Sequence, residues 1–217
     1  NFRNRIRIGN LNTEETQQAT LVKNSTYGNS ASDGLGGTTS TNYHFHGSHT
    51  NPNGFGDNVV SRFTTGQKWT TEIDLPEDHG QGSYWYHPHY HPSVNQQVYG
   101  GASGFIQVGD PLSKIPGFEN IPRNLAILKT MDLGLDEKSG QLQLGAFDNY
   151  GGPLTNAMTM VTVNGEFQPQ ADAKQGGWQS ISLSNQSNQA FYNVSLIHQE
   201  SGERLPLYIY GEDGHQF

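Results

Sequence analysis

Histidine is concentrated in two short stretches of this sequence. Seven of the nine histidines lie between His44 and His91, and six of those fall in YHFHGSH (43–49) and SYWYHPHYHP (83–92). Each stretch contains a His-x-His pair. Residues i and i+2 of a β-strand point to the same face, so each pair could present two imidazoles side by side. Four imidazoles facing one another would suit copper, zinc, iron or nickel.

The residue between the two histidines of each pair predicts how the pair is held. In the first pair, a strand would direct Phe45 away from the histidines and into a core. In the second pair, Pro88 cannot donate a hydrogen bond to a neighbouring strand, so His87 and His89 are predicted at a strand end or a bulge. The other histidines are predicted to lie outside the ligand set. We expect His49 and His79 to be solvated in glycine-rich loops, His198 and His215 to lie at the surface or in hydrogen bonds, and His91 to lie beside the site.

Two other kinds of site fit the sequence less well. A cupin site also uses His-x-His but expects a glutamate three or four residues later, and residues 48–51 contain none. A serine hydrolase of the α/β class would need a G-x-S-x-G turn, and the sequence has only the fragment GASG at 101–104.

The elements around these histidines are predicted to be strands. The 217 residues include 27 glycines and 10 prolines, only 15% are charged, and no convincing amphipathic helix exceeds about two turns. Residues 24–40 are predicted to form a Gly/Ser/Asn-rich loop. Strands are predicted over 2–8, 41–46, 68–75, 83–86, 104–108, 125–128 (as a buried strand), 160–164, 178–184, 191–197 and 205–210.

A proline-rich segment divides the chain into two predicted domains. DPLSKIPGFENIP at 110–122 contains three prolines and no periodic pattern, as interdomain linkers often do. The boundaries are placed at 1–110 for the first β domain, 111–122 for the linker and 123–217 for the second.

Charge and cysteine content exclude several classes of protein. The net charge of −8 argues against nucleic acid or an anionic membrane as a partner, because both require a basic face. No apolar run approaches the ~20 residues of a membrane-spanning helix. The absence of cysteine excludes disulfides, Cys-based zinc sites and thiol catalysis.

Several motifs together resemble one known family. TNYHFHG (41–47), GDNV (56–59) and YWYHPHYHPSVNQQVYGGASGFIQV (84–108) resemble the first two copper motifs of multicopper oxidases, which include laccase-like and bilirubin-oxidase-like enzymes. VTVNGEFQP (161–169) and LYIYGEDG (207–214) resemble segments of that family's second domain. The resemblance implies an all-β fold of cupredoxin-like Greek-key β-sandwich domains, the second of them incomplete.

The resemblance also implies a cofactor, a reaction and residue roles. A trinuclear copper cluster would reduce O2 to water with electrons from a small reducing substrate, a phenol or a metal ion. His44 would ligate the type 2 copper, and His46, His87 and His89 the type 3 pair. Asp57 would help to deliver protons to oxygen, although a turn-forming role before Asn58 is an equal alternative. The family also implies a periplasmic or extracellular location.

The sequence departs from the family by what it does not contain. The family's type 1 copper needs a cysteine, and four further histidines complete its trinuclear site. We therefore expect this chain to be the N-terminal part of a multicopper oxidase, completed by a C-terminal cupredoxin domain or a second chain. Alone it would supply half the trinuclear site, lack type 1 copper and be inactive. The alternatives are a non-catalytic copper-binding or storage module, and a structural β-sandwich whose histidines bind zinc or no metal.

Overall fold

The structure of the protein, a computed structural model, is dominated by strands. It describes residues 3–9, 40–64, 66–91, 93–135, 142–144, 158–187 and 190–217. The predicted loop at 24–40 lies outside these ranges, apart from Ser40. Within them the helical elements are one α-helix, α1 (Val94–Tyr99), and one 3-10 helix (Pro111–Lys114). None of the described helices is long and apolar enough to cross a membrane.

A three-stranded antiparallel sheet holds both histidine pairs. Its strands are β2 (His44–His46), β4 (Gly82–His87) and β5 (Gly104–Val108), in the order β2-β4-β5. The register sets His44 opposite His87 and His46 opposite Trp85. Residues directly opposite in an antiparallel pair share a face, so the register itself brings the two histidine motifs together.

A two-stranded antiparallel sheet joins a strand before the first histidine pair to a strand between the two pairs. β1 (Arg3–Gly9) pairs with β3 (Lys68–Asp74), as the alternating patterns of both segments predict. An isolated antiparallel bridge pairs Thr41, three residues before β2, with Phe63, five residues before β3. The first half of the protein is the residues before Arg123, where a long strand begins, and the second half is the residues from Arg123 onwards. The buried apolar side chains of the described residues lie in the first half: Phe45, Phe63, Ile73, Tyr84, Val98, Tyr99 and Leu112.

The second half contains a five-stranded sheet with one parallel pair. Its strands are β6 (Arg123–Leu135), β7 (Leu142–Leu144), β8 (Met158–Val163), β9 (Glu166–Phe167) and β10 (Ser180–Asn185). Their order is β10-β6-β8-β9, with β7 paired to β6 and β10 parallel to β6. Two short hairpins follow: β11 (Leu196–Ile197) with β12 (Arg204–Leu205), and β13 (Gly211–Glu212) with β14 (His215–Gln216).

Polar contacts connect the two halves. The Tyr99 hydroxyl donates to the backbone oxygen of Asp132 at 3.1 Å and accepts from its backbone N–H at 2.6 Å. Ser103 Oγ donates to Gln186 Oε1 at 2.7 Å. Between β5 and β6 the chain forms turns and the 3-10 helix, which Asp110 caps, and no strand is described there. The domain boundaries at 110 and 122 stay a prediction.

Three strand predictions in the second half are wrong in part. β6 forms, but Leu125 is 37% exposed and residues 126–128 are only half-buried, so this is not a buried strand. Within the predicted segments 191–197 and 205–210, the residues found in strands are Leu196–Ile197 and Leu205, the second residue of β12. An apolar run promotes strand pairing, but burial also needs a second layer of side chains, and Phe191 at 102% exposure has none.

Candidate metal centre

Three imidazoles meet at the end of the β2–β4 pair. One ring nitrogen from each of His44, His46 and His87 can be chosen so that all three lie within 4.8 Å of one another. Phe45, between the first two, is 2% exposed and packs into the core, as predicted from strand alternation. We call His44, His46, His87 and the adjacent His89 the histidine cluster.

The shortest contact within the cluster joins His46 to His87. Nδ1 of His46 lies 3.1 Å from Nε2 of His87, and Nδ1 of His87 lies 2.7 Å from the carbonyl oxygen of Pro88. A carbonyl only accepts, so Nδ1 of His87 carries a proton and its Nε2 presents a lone pair towards His46. Nδ1 of His46 then donates in the metal-free protein. A cation that replaced that proton would find two nitrogen lone pairs directed at it.

The surroundings of His87 and His46 lower the pKa of both imidazoles and so favour their neutral form. Burial lowers the pKa of His87 from 6.5 to about 4, against the opposing effect of the Pro88 carbonyl, and the neighbouring imidazoles of His44, His46 and His89 lower it further. Burial is also the main cause of the lowered pKa of His46, and His44 adds to it. Neutral imidazole is the form that binds a metal ion, so these two residues are ready to act as ligands at neutral pH.

Asp57 is placed to orient His44. Nδ1 of His44 lies 3.1 Å and 2.9 Å from the two carboxylate oxygens, and the backbone N–H of Phe45 donates to one of them at 3.0 Å. Asp57 is itself only 8% exposed. A carboxylate that accepts from one ring nitrogen of a histidine fixes the tautomer and leaves the other nitrogen available to a metal.

His89 is the fourth member of the cluster and lies just beyond the end of β4. Its ring centroid is 5.2 Å from that of His44 and 6.1 Å from that of His87. The position agrees with the prediction that Pro88 would end the strand. His91 is exposed, with its ring 6.3 Å from that of His89; its predicted role beside the site stays a prediction.

Aromatic rings support the cluster from behind. The Trp85 ring stacks on His87 at 4.2 Å and on His46 at 5.2 Å between centroids. Tyr86, which points to the other face of β4, packs against Phe45 at 6.3 Å and Tyr43 at 5.7 Å. The YWYH sequence therefore supplies one ring that restrains the imidazoles and one that anchors the strand to the core.

The prediction that His79 is solvated is wrong. It is only 9% exposed; its Nε2 accepts from the backbone N–H of His49 at 3.0 Å, and its Nδ1 donates to the Gly80 carbonyl at 2.9 Å. Its ring also meets Tyr84 edge-on at 5.0 Å. His49 is exposed, as expected. His79 therefore fastens the loop after β2 to the turn before β4.

The two histidines of the second half lie at the surface, as predicted. His198 is exposed and contacts Ser201 Oγ at 2.9 Å, and His215 is exposed in β14. Sequence reasoning missed Asn42, a buried amide two residues before β2 that bonds to the backbone of Val59 and of His89.

The comparisons with known proteins agree on one family. Residues 27–113 match the family model described as multicopper oxidase. The multicopper oxidase mco of Staphylococcus aureus is 28% identical over 150 residues, which cover 69% of this chain and 31% of that protein.

Solved structures show that the fold is shared. The 2F4 variant of the McoA multicopper oxidase from Aquifex aeolicus matches with a TM-score of 0.63 and 22% identity, over 84% of this chain and 38% of that one. McoA itself matches with a TM-score of 0.61 and 20% identity over the same shares. The all-β, cupredoxin-like fold is thereby confirmed, and the chain spans about a third of the length of these relatives.

Proposed function

We propose that the histidine cluster binds copper, because residues 27–113, which contain it, match the multicopper oxidase family model. The observation that carries the proposal is the convergence of ring nitrogens of His44, His46 and His87 within 4.8 Å of one another. The donor set fits copper because it consists of imidazoles, at least two of them with a pKa lowered mainly by burial. The site belongs to an oxidase that couples one-electron oxidation of a substrate to the reduction of O2 to water.

Each histidine has a proposed place in that site. His44 would hold the type 2 copper, and His46, His87 and His89 would hold the type 3 pair. The support is that Nδ1 of His44 lies against the Asp57 carboxylate, whereas His46 and His87 face each other with 3.1 Å between two ring nitrogens. When bound, copper would supply single-electron redox chemistry and binding sites for O2.

The protein's own contribution begins with orientation and desolvation. The Pro88 carbonyl fixes the tautomer of His87, Asp57 fixes that of His44, and Trp85 restrains the rings of His46 and His87. Histidines that are locked before the metal arrives lose little conformational freedom on binding it.

Asp57 has a second proposed role as a carrier of protons. Its carboxylate is buried, lies against a cluster imidazole and accepts two hydrogen bonds, one of them from a backbone N–H. A carboxylate beside the site where O2 is reduced can pass on the protons that water formation needs. The alternative, a turn-forming Asp57, is weakened because its side chain bonds to β2 rather than to the residues that follow it.

The rest of the oxidase site is proposed to come from outside this sequence. With no cysteine, the chain has no type 1 copper ligand of the usual kind, so we expect no oxidase activity from it alone. A C-terminal cupredoxin domain or a second chain would complete the site and cover apolar side chains that lie exposed, among them Trp178, Ile181, Leu183, Tyr208 and Ile209. The reducing substrate would be a phenol or a metal ion, and the location periplasmic or extracellular.

Copper titration followed by electron paramagnetic resonance tests the proposal. The protein should bind copper with the signal of nitrogen-ligated type 2 copper and no intense blue band. Oxygen uptake with a phenolic reductant should appear only when a cysteine-containing domain or chain is present. Failure to bind copper more tightly than zinc, or binding that survives loss of His87, would overturn it. Copper binding without oxygen uptake in the complete assembly would favour a storage module instead.

A further inference from the structure

We propose that Asn42 is a positioning residue that joins the two histidine pairs and the Asp57 loop into one arrangement, an inference that rests on the proposed copper function. Asn42 lies two residues before His44 and is 3% exposed. Both of its side-chain hydrogen bonds in the described part of the chain go to backbone atoms, so it would act through the backbone that carries the ligands.

The two ends of the Asn42 amide bind two distant parts of the chain. Nδ2 donates to the carbonyl oxygen of Val59 at 2.7 Å, and Oδ1 accepts from the backbone N–H of His89 at 2.8 Å. Val59 follows Asp57 by two residues, and that carboxylate orients His44. One side chain therefore fixes both the loop behind the first pair and the backbone of the second.

The contact to His89 matters because β4 has already ended there. β4 ends at His87 and Pro88 has no N–H, so the His89 amide lies outside the ladder that positions His87. Asn42 supplies the acceptor that the ladder does not. The direction of the chain at His89, and so the placement of its imidazole beside His44, depends on this bond.

An uncharged amide satisfies both contacts at a buried position. Asparagine offers a donor and an acceptor at opposite ends of a short, rigid group. Ionised aspartate would keep the acceptor for His89 but lose the donor to Val59, and leucine would lose both while filling a similar volume. A buried polar group left without its partner is strongly disfavoured, so the backbone at Val59 or His89 would move to find water.

The backbone before Asn42 is also held in place by hydrogen bonds, which fixes the position of Asn42 itself. Thr41 exchanges two backbone hydrogen bonds with Phe63, at 3.0 and 2.9 Å. The Ser40 carbonyl accepts from Ser93 Oγ at 2.6 Å and from Gln97 Nε2 at 2.9 Å. Ser93 directly precedes α1 and Gln97 lies within it, so the helix that follows the second histidine pair holds the segment that leads into the first.

The test compares Asn42→Leu and Asn42→Asp with matched changes at Gln186. Gln186 is 2% exposed and also bonds through both ends of its amide, to Ser103 in the first half of the protein and to Ser184 in the second. Gln186→Met and Gln186→Glu therefore repeat the loss of a buried amide away from the histidines. Two properties are measured in each variant: amide hydrogen exchange over residues 84–91 without metal, and copper affinity with the electron paramagnetic resonance spectrum.

The expected result separates the two positions. Asn42→Leu should accelerate exchange at His89, lower copper affinity about 10-fold or more and change the copper hyperfine coupling, because supporting residues tune the ligands they hold. Asn42→Asp should keep His89 protected and act on copper through the Val59 loop alone. The Gln186 variants should lose stability while keeping wild-type exchange over 84–91 and a wild-type copper spectrum.

Two outcomes would overturn the inference. One is wild-type exchange at His89 in Asn42→Leu, and the other is a copper spectrum that changes as much in the Gln186 variants as in the Asn42 variants. The exchange measurement needs no metal. If the wild-type protein binds no copper, the proposed function fails, while exchange at His89 still decides whether Asn42 positions that residue.

Discussion

Nδ1 of His44 lies within hydrogen-bond distance of both carboxylate oxygens of Asp57, at 3.1 and 2.9 Å, although the two residues are 13 positions apart. The same carboxylate accepts from the backbone N–H of Phe45. Asp57 thus holds both the imidazole of His44 and the strand backbone next to it. This relationship leaves Nε2 of His44 as the ring nitrogen available to the proposed copper.

Replacing Asp57 with asparagine should weaken copper binding without unfolding the protein. Asparagine keeps the shape and an acceptor for Phe45, but it removes the charge that supports His44 as a ligand. We expect copper affinity to fall about 10- to 100-fold, the usual range for loss of such a partner. Competition against a chelator measures the change. Asp78→Asn, at an exposed turn, is the control, and equal affinities in the two variants would contradict the assignment.

Replacing His87 with alanine should abolish copper binding at the histidine cluster. Nε2 of His87 lies 3.1 Å from Nδ1 of His46, and the register partner of His87 is His44. His87→Ala should therefore lose copper at the cluster, measured as bound copper per chain and as loss of its resonance signal. His198→Ala, which changes an exposed histidine of the second half, should keep both. An unchanged copper content in His87→Ala would show that the metal binds elsewhere.

Local sequence patterns predicted the strands that hold the site, although the strand predicted over 41–46 forms only at His44–His46. Alternation around Phe45 predicted which way His44 and His46 point, and Pro88 predicted that the strand ends at His87. These features depend on residues within two positions of one another. The resemblance to a family supplied the choice of copper, which the residue pattern alone left open among several metals.

Long-range contacts were beyond the same patterns. The sequence around His79 predicted a solvated loop histidine. The residue is buried, and its ring accepts a hydrogen bond from the backbone of His49, 30 residues away. The apolar run that begins at Leu125 correctly predicted a strand. The prediction that this strand is buried was wrong, because burial depends on what covers each face of a sheet. Nothing local to Asn42 indicates that its partners are Val59 and His89.

Acid should destabilise the metal-free protein through His87. Burial lowers the pKa of His87 from 6.5 to about 4, so the unfolded chain binds a proton there at higher pH than the folded protein does. The free energy of unfolding should therefore fall as the pH falls from about 6.5 towards about 4, with no further loss from this group below that. The lowered pKa of His46 acts in the same direction.

Urea unfolding of the wild-type protein and His87→Gln, with a chelator present, measures this pH dependence. Glutamine cannot take up the proton, so the difference in unfolding free energy between the two proteins should shrink, or change in favour of the variant, between pH 6.5 and about pH 4. Taking the difference removes the contribution of the carboxylates that both proteins share. Parallel pH profiles for the two proteins would mean that His87 is not desolvated in the folded state.

His79 should contribute to stability without being a metal ligand. In His79→Phe the ring contact with Tyr84 is kept, while the hydrogen bonds to the N–H of His49 and the carbonyl of Gly80 are lost. We expect a loss of about 1–3 kcal/mol in the free energy of unfolding, the range for leaving buried polar groups unsatisfied. Copper stoichiometry should be unchanged, because Nε2 of His79 is already occupied by a backbone donor. His198→Phe should leave both quantities unchanged, and a loss of copper in His79→Phe would instead place this histidine among the ligands.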